Sequence, residues 1–468
     1  MTNIDRVWVT IKLTVFVLYS ASAQEILPLE EFLAQVRSNH PVLRIAGLNI
    51  EMAGANRLEA GGAFDPTVYA DLDQKTFDGK NYYTKPEIGF VLPTWFGIEL
   101  YGGASNYRGS FLNEEETTGL VTYGGIKLPL LKDLYFDKRR AALQKAKVGE
   151  RQSENERLLV LNDIMMEAEQ FYWQWLQAYQ DNEIIRQQLI ATRDRMDFLR
   201  ASFEGGDRSV MDTIEASTQL LGLEQLLLST QLSQIEAMLN VSTFLWDSDG
   251  EPLFIAENTI PDTNLLYTIR ISPLIGRTEG IAQVLDNHPK INAFNLKEES
   301  LEIDRRLKFQ SFMPKLDLKY NVLQKGQFSN VFREQLDLFG DNYKYGLSFS
   351  MPLINRTALG SYTGARLKIS AIQLERDNNE VLISNKIRYY DAEMQNLLQQ
   401  IQVMETALDR NRQLAEAESL KLRIGESTVF LTNSREMKLL ESSRKVLELT
   451  TKLGKSSAKK KNALAAYR

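Results

Sequence analysis

DNHPKINAFN, residues 286–295, repeats a phrase that the chain has already used as SNHPVLRIAGLN at 38–49. The protein has only two histidines, His40 and His288, 248 positions apart, and each stands in an Asn-His-Pro triplet that opens an apolar-periodic run. Proline in a first helical turn loses no intrahelical hydrogen bond and presets φ, so each triplet reads as the start of a helix. The first helix is expected from Pro41 to about Phe64, where Asp65-Pro66 breaks it and TVYADLDQ then alternates as a strand does. The second is expected from Pro289 to about Phe312, where Met313-Pro314 breaks it and KLDLKYNV alternates likewise. Both histidines read as helix-start residues rather than ligands.

Extending the comparison outward aligns two halves of the chain. IKLPLLKDLYFDKRRAALQKAK, from Ile126, has a counterpart in FSMPLINRTALGSYTGARLKIS, from Phe349: a strand ends at a proline and a long helix follows. EGGDRSVMDTIEA, from Glu204, matches RIGESTVFLTNSR, from Arg423, when Gly206 is set against Gly425. The intervening helices, Asp137–Phe203 and Arg356–Leu422, then have 67 residues each. A helix of that length spans about 100 Å and must pack beside another. Leu161, Met165, Ala168, Tyr172, Trp175 and Tyr179 recur at four and three residues. Ile387, Tyr390, Met394, Leu397, Ile401, Met404 and Leu408 do the same in the second helix. This 3.5-residue repeat is a coiled-coil seam. Return helices are expected over Ser209–Leu245 and Thr428–Tyr467, the former with Leu221, Leu228, Leu232, Ile235 and Leu239 on one stripe. Phe171, Tyr172, Trp173 and Trp175 read as packing residues.

The totals exclude several function classes. A net charge of −6 gives no basic face for nucleic acid. With no cysteine there is neither a disulfide framework nor thiolate chemistry. Two histidines without paired-ligand spacing leave no zinc motif, and no cofactor fingerprint, GxSxG elbow or phosphate-cradling loop is present. Arg6 and Lys12, the apolar run from Leu13 and SASA ending at Ala23 have the shape of an export leader, the alternative being a short buried helix. No later segment offers about 18 consecutive apolar residues, the length of a spanning helix.

Short alternating segments lie beside the helices: TVYADLDQ, EIGFVL, GIELYGGASNY and LVTYGGIKL in the first half, KLDLKYNV and YKYGLSFSM in the second. In an exported chain these suit a barrel crossing an outer membrane, although a soluble antiparallel sheet would carry a similar pattern. Two to four strands cannot close a barrel, so several copies would have to pool theirs, gathering the long helices into a hollow cylinder.

In this order the segments resemble the TolC family of outer-membrane efflux proteins, over nearly all of the chain after the leader. The resemblance rests on NHP opening a helix in both halves, on LPLL from Leu128 and MPLI from Met351, on DKRRAALQKAK from Asp137, and on the turns GGDRSVMDTIEA and IGESTVFLTNS. PTWFGIELYGGASNYRG, from Pro93, is similar to the version found in members from the Bacteroidetes. The resemblance implies a mainly α chain of two structural repeats. Three copies would build an α-helical tunnel of coiled-coil hairpins under a shared 12-stranded β-barrel, four strands from each. EIGFVL and GIELYGGASNY would then be a hairpin outside the membrane or additional barrel strands.

Members are passive exit ducts, in efflux or type I secretion, that dock a periplasmic adaptor (membrane fusion) protein and an inner-membrane pump. Adaptor contacts carry over to Gly206, Asp207, Arg208, Ser209 and Val210 in the first turn and Gly425, Glu426, Ser427, Thr428 and Val429 in the second. Acidic residues that narrow the tunnel mouth in some members align with Leu431 and Ser434. The first-half equivalents, Asp212 and Glu215, are the candidate tunnel-mouth acids, against the simpler reading of a helix-start pair.

The expected organisation is therefore a leader at 1–23, a first repeat at 24–246, a connector at 247–280 and a second repeat at 281–468, whose basic tail SSAKKKNALAAYR is expected to fray. The competing reading is an exported structural coiled coil, or an adaptor-like protein, whose strands form a soluble domain.

Overall fold

The computed structural model describes residues 25–113, 116–256, 258–271, 280–326 and 341–467. The expected leader lies outside them, as do parts of the connector. Nine helices and eight strands are formed by these residues: β1 Glu25–Leu27, α1 Leu29–Asn39, α2 Pro41–Gly62, β2 Thr67–Phe77, β3 Lys80–Pro93, β4 Glu99–Tyr107, β5 Gly119–Pro129, α3 Lys138–Glu204, α4 Val210–Ser242, β6 Thr259–Pro261, α5 Leu265–Ile271, α6 Ile281–Asp286, α7 Pro289–Gln310, β7 Lys315–Lys325, β8 Tyr343–Ser350, α8 Arg356–Arg423 and α9 Val429–Ala463. α3 has 67 residues and α8 has 68, each with bounds within one residue of those expected. α2 and α7 have 22 each and start at the prolines of the two triplets.

His288 is the N-cap of α7: its Nδ1 accepts the Lys290 N–H at 3.1 Å. His40 closes α1 and precedes α2, its ring 5.7 Å from that of Phe244. The 11-residue helix α1 carries no feature read above; Phe32 and Val36 are its fully buried residues.

Two compact units can be separated, and they cut across both halves of the sequence. One comprises the described residues of Met1–His40, Glu167–Pro273 and Gln395–Ser456; the other comprises Pro41–Met166, Leu274–Met394 and Ser457–Arg468.

In the second unit a six-stranded antiparallel sheet has the order β2-β3-β4-β5-β7-β8. Asp78 at φ 50° and Gly79 at φ 73° make the two-residue turn between β2 and β3, a conformation matched to strand twist. Two clusters among the described residues pack helices of this unit together. Ala141 and Val148 of α3 meet Leu296 and Ile303 of α7, while Ile291 of α7 meets Ile383 and Ile387 of α8 and Ala463 of α9. Asn155 ties α3 to the start of α7 through the Pro289 carbonyl, at 2.7 Å.

The expected fraying of the C-terminal tail is corrected here. Ser457, Ala458 and Lys460 are buried, the Lys460 ammonium pairs with Asp391, and Asn462 donates to the Asn162 carbonyl and the Asp163 carboxylate. The basic run holds because its central charge is neutralised inside the packing rather than left in water.

In the first unit β1 pairs in parallel with β6, and the Tyr172 hydroxyl fastens both: it donates to the Leu27 carbonyl at 2.6 Å and accepts the Asp262 N–H at 2.9 Å. Burial pushes this phenol well above the usual tyrosine range. Tyr172, Trp173 and Trp175 are fully buried, which supports packing as their role. The Trp173 indole occupies the space left by the missing side chain of Gly454 on α9. Both seams are buried along most of their length, at Leu161, Met165, Ala168, Ile387, Met394, Leu397 and Ile401 among others.

Candidate functional site

Two surfaces could carry function, one in each unit. The first is the sheet. Residues paired across neighbouring strands share a face, and alternate residues change face, so the register sorts every side chain. One face carries Val68 and Leu72 of β2, Ile88 and Phe90 of β3, Leu100 and Ala104 of β4, Ile126 of β5, Val322 of β7, and Leu347 and Phe349 of β8. Most of the large ones are exposed: Val68, Leu347 and Phe349 retain 73%, 62% and 65% of their surface. No Asp, Glu, Lys or Arg interrupts this face over the paired stretches.

The opposite face is polar. Glu87 of β3 accepts the hydroxyls of Tyr69 at 3.2 Å, Tyr123 at 2.5 Å and Tyr107 at 3.0 Å, and the Tyr69 and Tyr123 hydroxyls are 2.8 Å apart. Two glycines make the convergence possible. A Cβ at Gly89 would meet the Tyr69 ring at 2.7 Å, and one at Gly103 would meet the Tyr123 hydroxyl at 2.7 Å, so the rings lie over bare backbone. Farther along this face Lys127 and Arg139 both bind Glu99, at 2.9 and 2.6 Å. β2 and β8 are the edges of the sheet.

The second surface is the pair of helix turns, and here both matched glycines have φ +82° with open space around the absent side chain. In the first, Gly206 donates to Phe203 O and Asp207 donates to Ser202 O; in the second, Gly425 donates to Leu422 O and Glu426 to Lys421 O. This is the Schellman termination, which needs a residue that tolerates the left-handed region. Ser209 caps α4 in a reciprocal box with Asp212, and Thr428 Oγ1 accepts the Leu431 N–H at the start of α9. Asp212 is thus occupied by the cap, the geometry of the simpler helix-start reading. Glu215 is half-buried in the following turn, and Leu431 and Ser434 lie in the first turns of α9.

The structure brings the two turns together. Arg208 of the first donates to the carbonyls of Leu422 at 2.5 Å and Ser427 at 3.4 Å in the second, placing a cation on the C-terminal end of α8. Met196, Leu199, Ala216, Leu422 and Val429 form one cluster behind both turns. The turns are unlike in one respect: Val429 is 0% exposed, whereas its counterpart Val210 is 54% exposed. Val210, Met211 and Ile214 in the first, with Ile424 and Phe430 in the second, leave apolar side chains in solvent.

Solved structures with this fold include outer-membrane channels. The channel CusC superposes with a TM-score of 0.68 at 12% identity, covering 93% of this chain and 91% of its own. VceC of Vibrio cholerae gives 0.65 at 16% identity, covering 93% and 96%. The open state of MtrE from Neisseria gonorrhoeae gives 0.64 at 13% identity, covering 93% and 88%. This chain has the outer-membrane channel fold. No protein-family model matches the sequence, and no curated protein does. Within the channel fold, the polar bridges between hairpins are what sequence reasoning missed. Arg195 of α3 pairs with Glu436 and donates to Asn433 Oδ1 at 2.9 Å, and Arg444 of α9 clasps Asp181 through two bonds of 2.7 and 2.9 Å. Only an unexplained charge inside an apolar stripe could have pointed to them, and Arg195 shows that signal between Thr192 and Met196.

Proposed function

We propose that this protein is an outer-membrane exit duct of the TolC family, acting passively in an efflux system and performing no chemistry of its own. The observation that carries the reading is the six-stranded sheet whose two faces are unlike, one apolar and exposed, the other polar and internally hydrogen-bonded, in a chain that also builds helices of 67 and 68 residues. A sheet with open edges cannot sit in lipid, so a barrel closes only when β8 of one copy meets β2 of the next. The apolar face then contacts outer-membrane lipid and the polar face lines water. Helices of about 100 Å match a periplasmic tunnel under that barrel.

Three copies form the working assembly, each contributing two structural repeats. Support comes from α4, where Leu221, Leu228, Leu232, Ile235 and Leu239 follow heptad spacing yet stay exposed within one chain, a seam awaiting a neighbouring helix. The paired turns at Gly206 and Gly425 are the docking tips for a periplasmic adaptor, with an inner-membrane pump behind it, and their exposed apolar side chains fit that role. The neighbours CusC, VceC and MtrE are named as outer-membrane proteins or channels, which supports the same placement. Export of proteins by type I secretion uses the same architecture and is a second cargo class for the duct.

The test is purification from membranes. Extraction that requires detergent and yields a stable trimer with a central lumen by electron microscopy is the expected result. A water-soluble species whose strands form a free-standing domain would instead establish an exported structural or adaptor-like protein.

A further inference from the structure

We propose that the β3–β4 hairpin crosses the membrane as part of the exit barrel, so that each copy contributes six strands rather than four. This rests on the duct reading and extends it. Three observations carry it. β3 is paired with β2 from Thr67–Val91 to Phe77–Lys80, and β4 with β5 from Glu99–Lys127 to Tyr107–Gly119, so the hairpin lies inside the sheet with the same extent as its neighbours. β3 and β4 have 14 and 9 residues, enough for the roughly 9–11 that a tilted strand needs to span hydrocarbon. Finally, Ile88, Phe90, Leu100 and Ala104 continue the uncharged face of β2, β5, β7 and β8 without a break.

A hairpin standing outside the membrane has no reason to match that pattern. An apolar face exposed to water would be an aggregation liability, whereas acyl chains cover it at no cost in hydrogen bonds. The inner face agrees. Glu87 of β3 gathers Tyr69 of β2, Tyr107 of β4 and Tyr123 of β5, tying the hairpin to both flanking strands on the lumen side. Removing the hairpin would leave β2 beside β5 with that carboxylate gone.

Barrel diameter grows with strand number. Three copies with six strands each would pool 18, not 12. At about 4.8 Å between strands and a tilt near 40°, the backbone diameter rises from roughly 24 Å to roughly 36 Å. The exit is therefore wide enough for bulky solutes, narrowed by the inward tyrosines rather than by the backbone.

The chain has no cysteine, so single-cysteine variants report one position each. In the trimer reconstituted into phosphatidylcholine vesicles, Phe90→Cys and Ala104→Cys should lose labelling by a water-soluble maleimide and keep labelling by a lipid-soluble one, as Leu347→Cys on β8 does. Lys85→Cys, on the inner face, should react with the water-soluble reagent. If Phe90→Cys and Ala104→Cys label from water while Leu347→Cys stays protected, the hairpin is outside the membrane and this inference falls alone. If Leu347→Cys also labels from water, the membrane barrel itself falls and the inference with it. Should these variants fail to assemble, a strand count from electron microscopy of the unmodified trimer decides between 18 and 12.

Discussion

A methyl group on Gly454 would sit 2.2 Å from the Trp173 indole, and the indole cannot retreat because it is itself buried. Gly454→Ala should therefore lower the thermal midpoint, with a cost of about 1–3 kcal/mol from overpacking. Circular dichroism melts of the detergent-purified protein measure it. Gly206 and Gly425 behave differently, since nothing crowds them and only their φ of +82° resists a side chain. Gly206→Val or Gly425→Val should cost about 1–2 kcal/mol locally. Adaptor pull-down should weaken while the oligomer survives; unchanged docking and efflux in both variants would make the tips ordinary turns. Burial lowers the His40 pKa below its ordinary 6.5. The folded state then binds fewer protons than the unfolded chain as pH falls through 6.5, so stability drops in that window, and His40→Leu should flatten the drop in melts taken between neutral and mildly acid pH. The helix-start role of His288 was legible because proline chemistry is local, whereas His40 also closes α1, which was not read. The Gly454–Trp173 contact was not, because nothing in a single sequence says which glycine faces which indole.

Among elements, the long helices were readable because a 3.5-residue apolar repeat is a periodic signal that accumulates over many turns. Their ends were readable because glycine at a helix terminus has one common use. What joins the ends was hidden: Arg208 lies in a turn and spends its donors on carbonyls of Leu422 and Ser427, more than 200 positions away. Arg208→Ala should leave both hairpins helical yet release the α8 terminus by about 1 kcal/mol. Hydrogen exchange reads this directly, with the amides of Gly425 and Glu426 becoming faster while those in mid-helix are unchanged. The C-terminal segment misled in the opposite sense. Its lysines looked like a solvated charge run, but Lys460 meets Asp391 on α8, a partner that sequence separation conceals. Likewise α1 was unread, since 11 residues are too few for periodicity to stand out.

On the scale of the whole molecule, all six strands had been read as short alternating segments, yet their number in one sheet exceeded the four that the family resemblance implied. The glycine and aromatic content of β4 blurs its apolar side, because Gly102 on that side contributes backbone rather than hydrophobic surface. The exposed seam of α4 is the handle on assembly. If the proposed trimer meets along this stripe, Leu228→Glu combined with Leu232→Glu places charge in the contact, so light scattering in detergent should show monomers that retain helical circular dichroism; a surviving trimer would move the contact elsewhere. Finally, one turn of each chain keeps its valine in the packing while the other offers it to solvent. In the proposed trimer these would alternate around the axis, like long and short teeth on a gear. A ring of six identical partners closing over such a rim would therefore have to engage it in two distinct poses, and its sixfold appearance at low resolution would conceal a threefold truth.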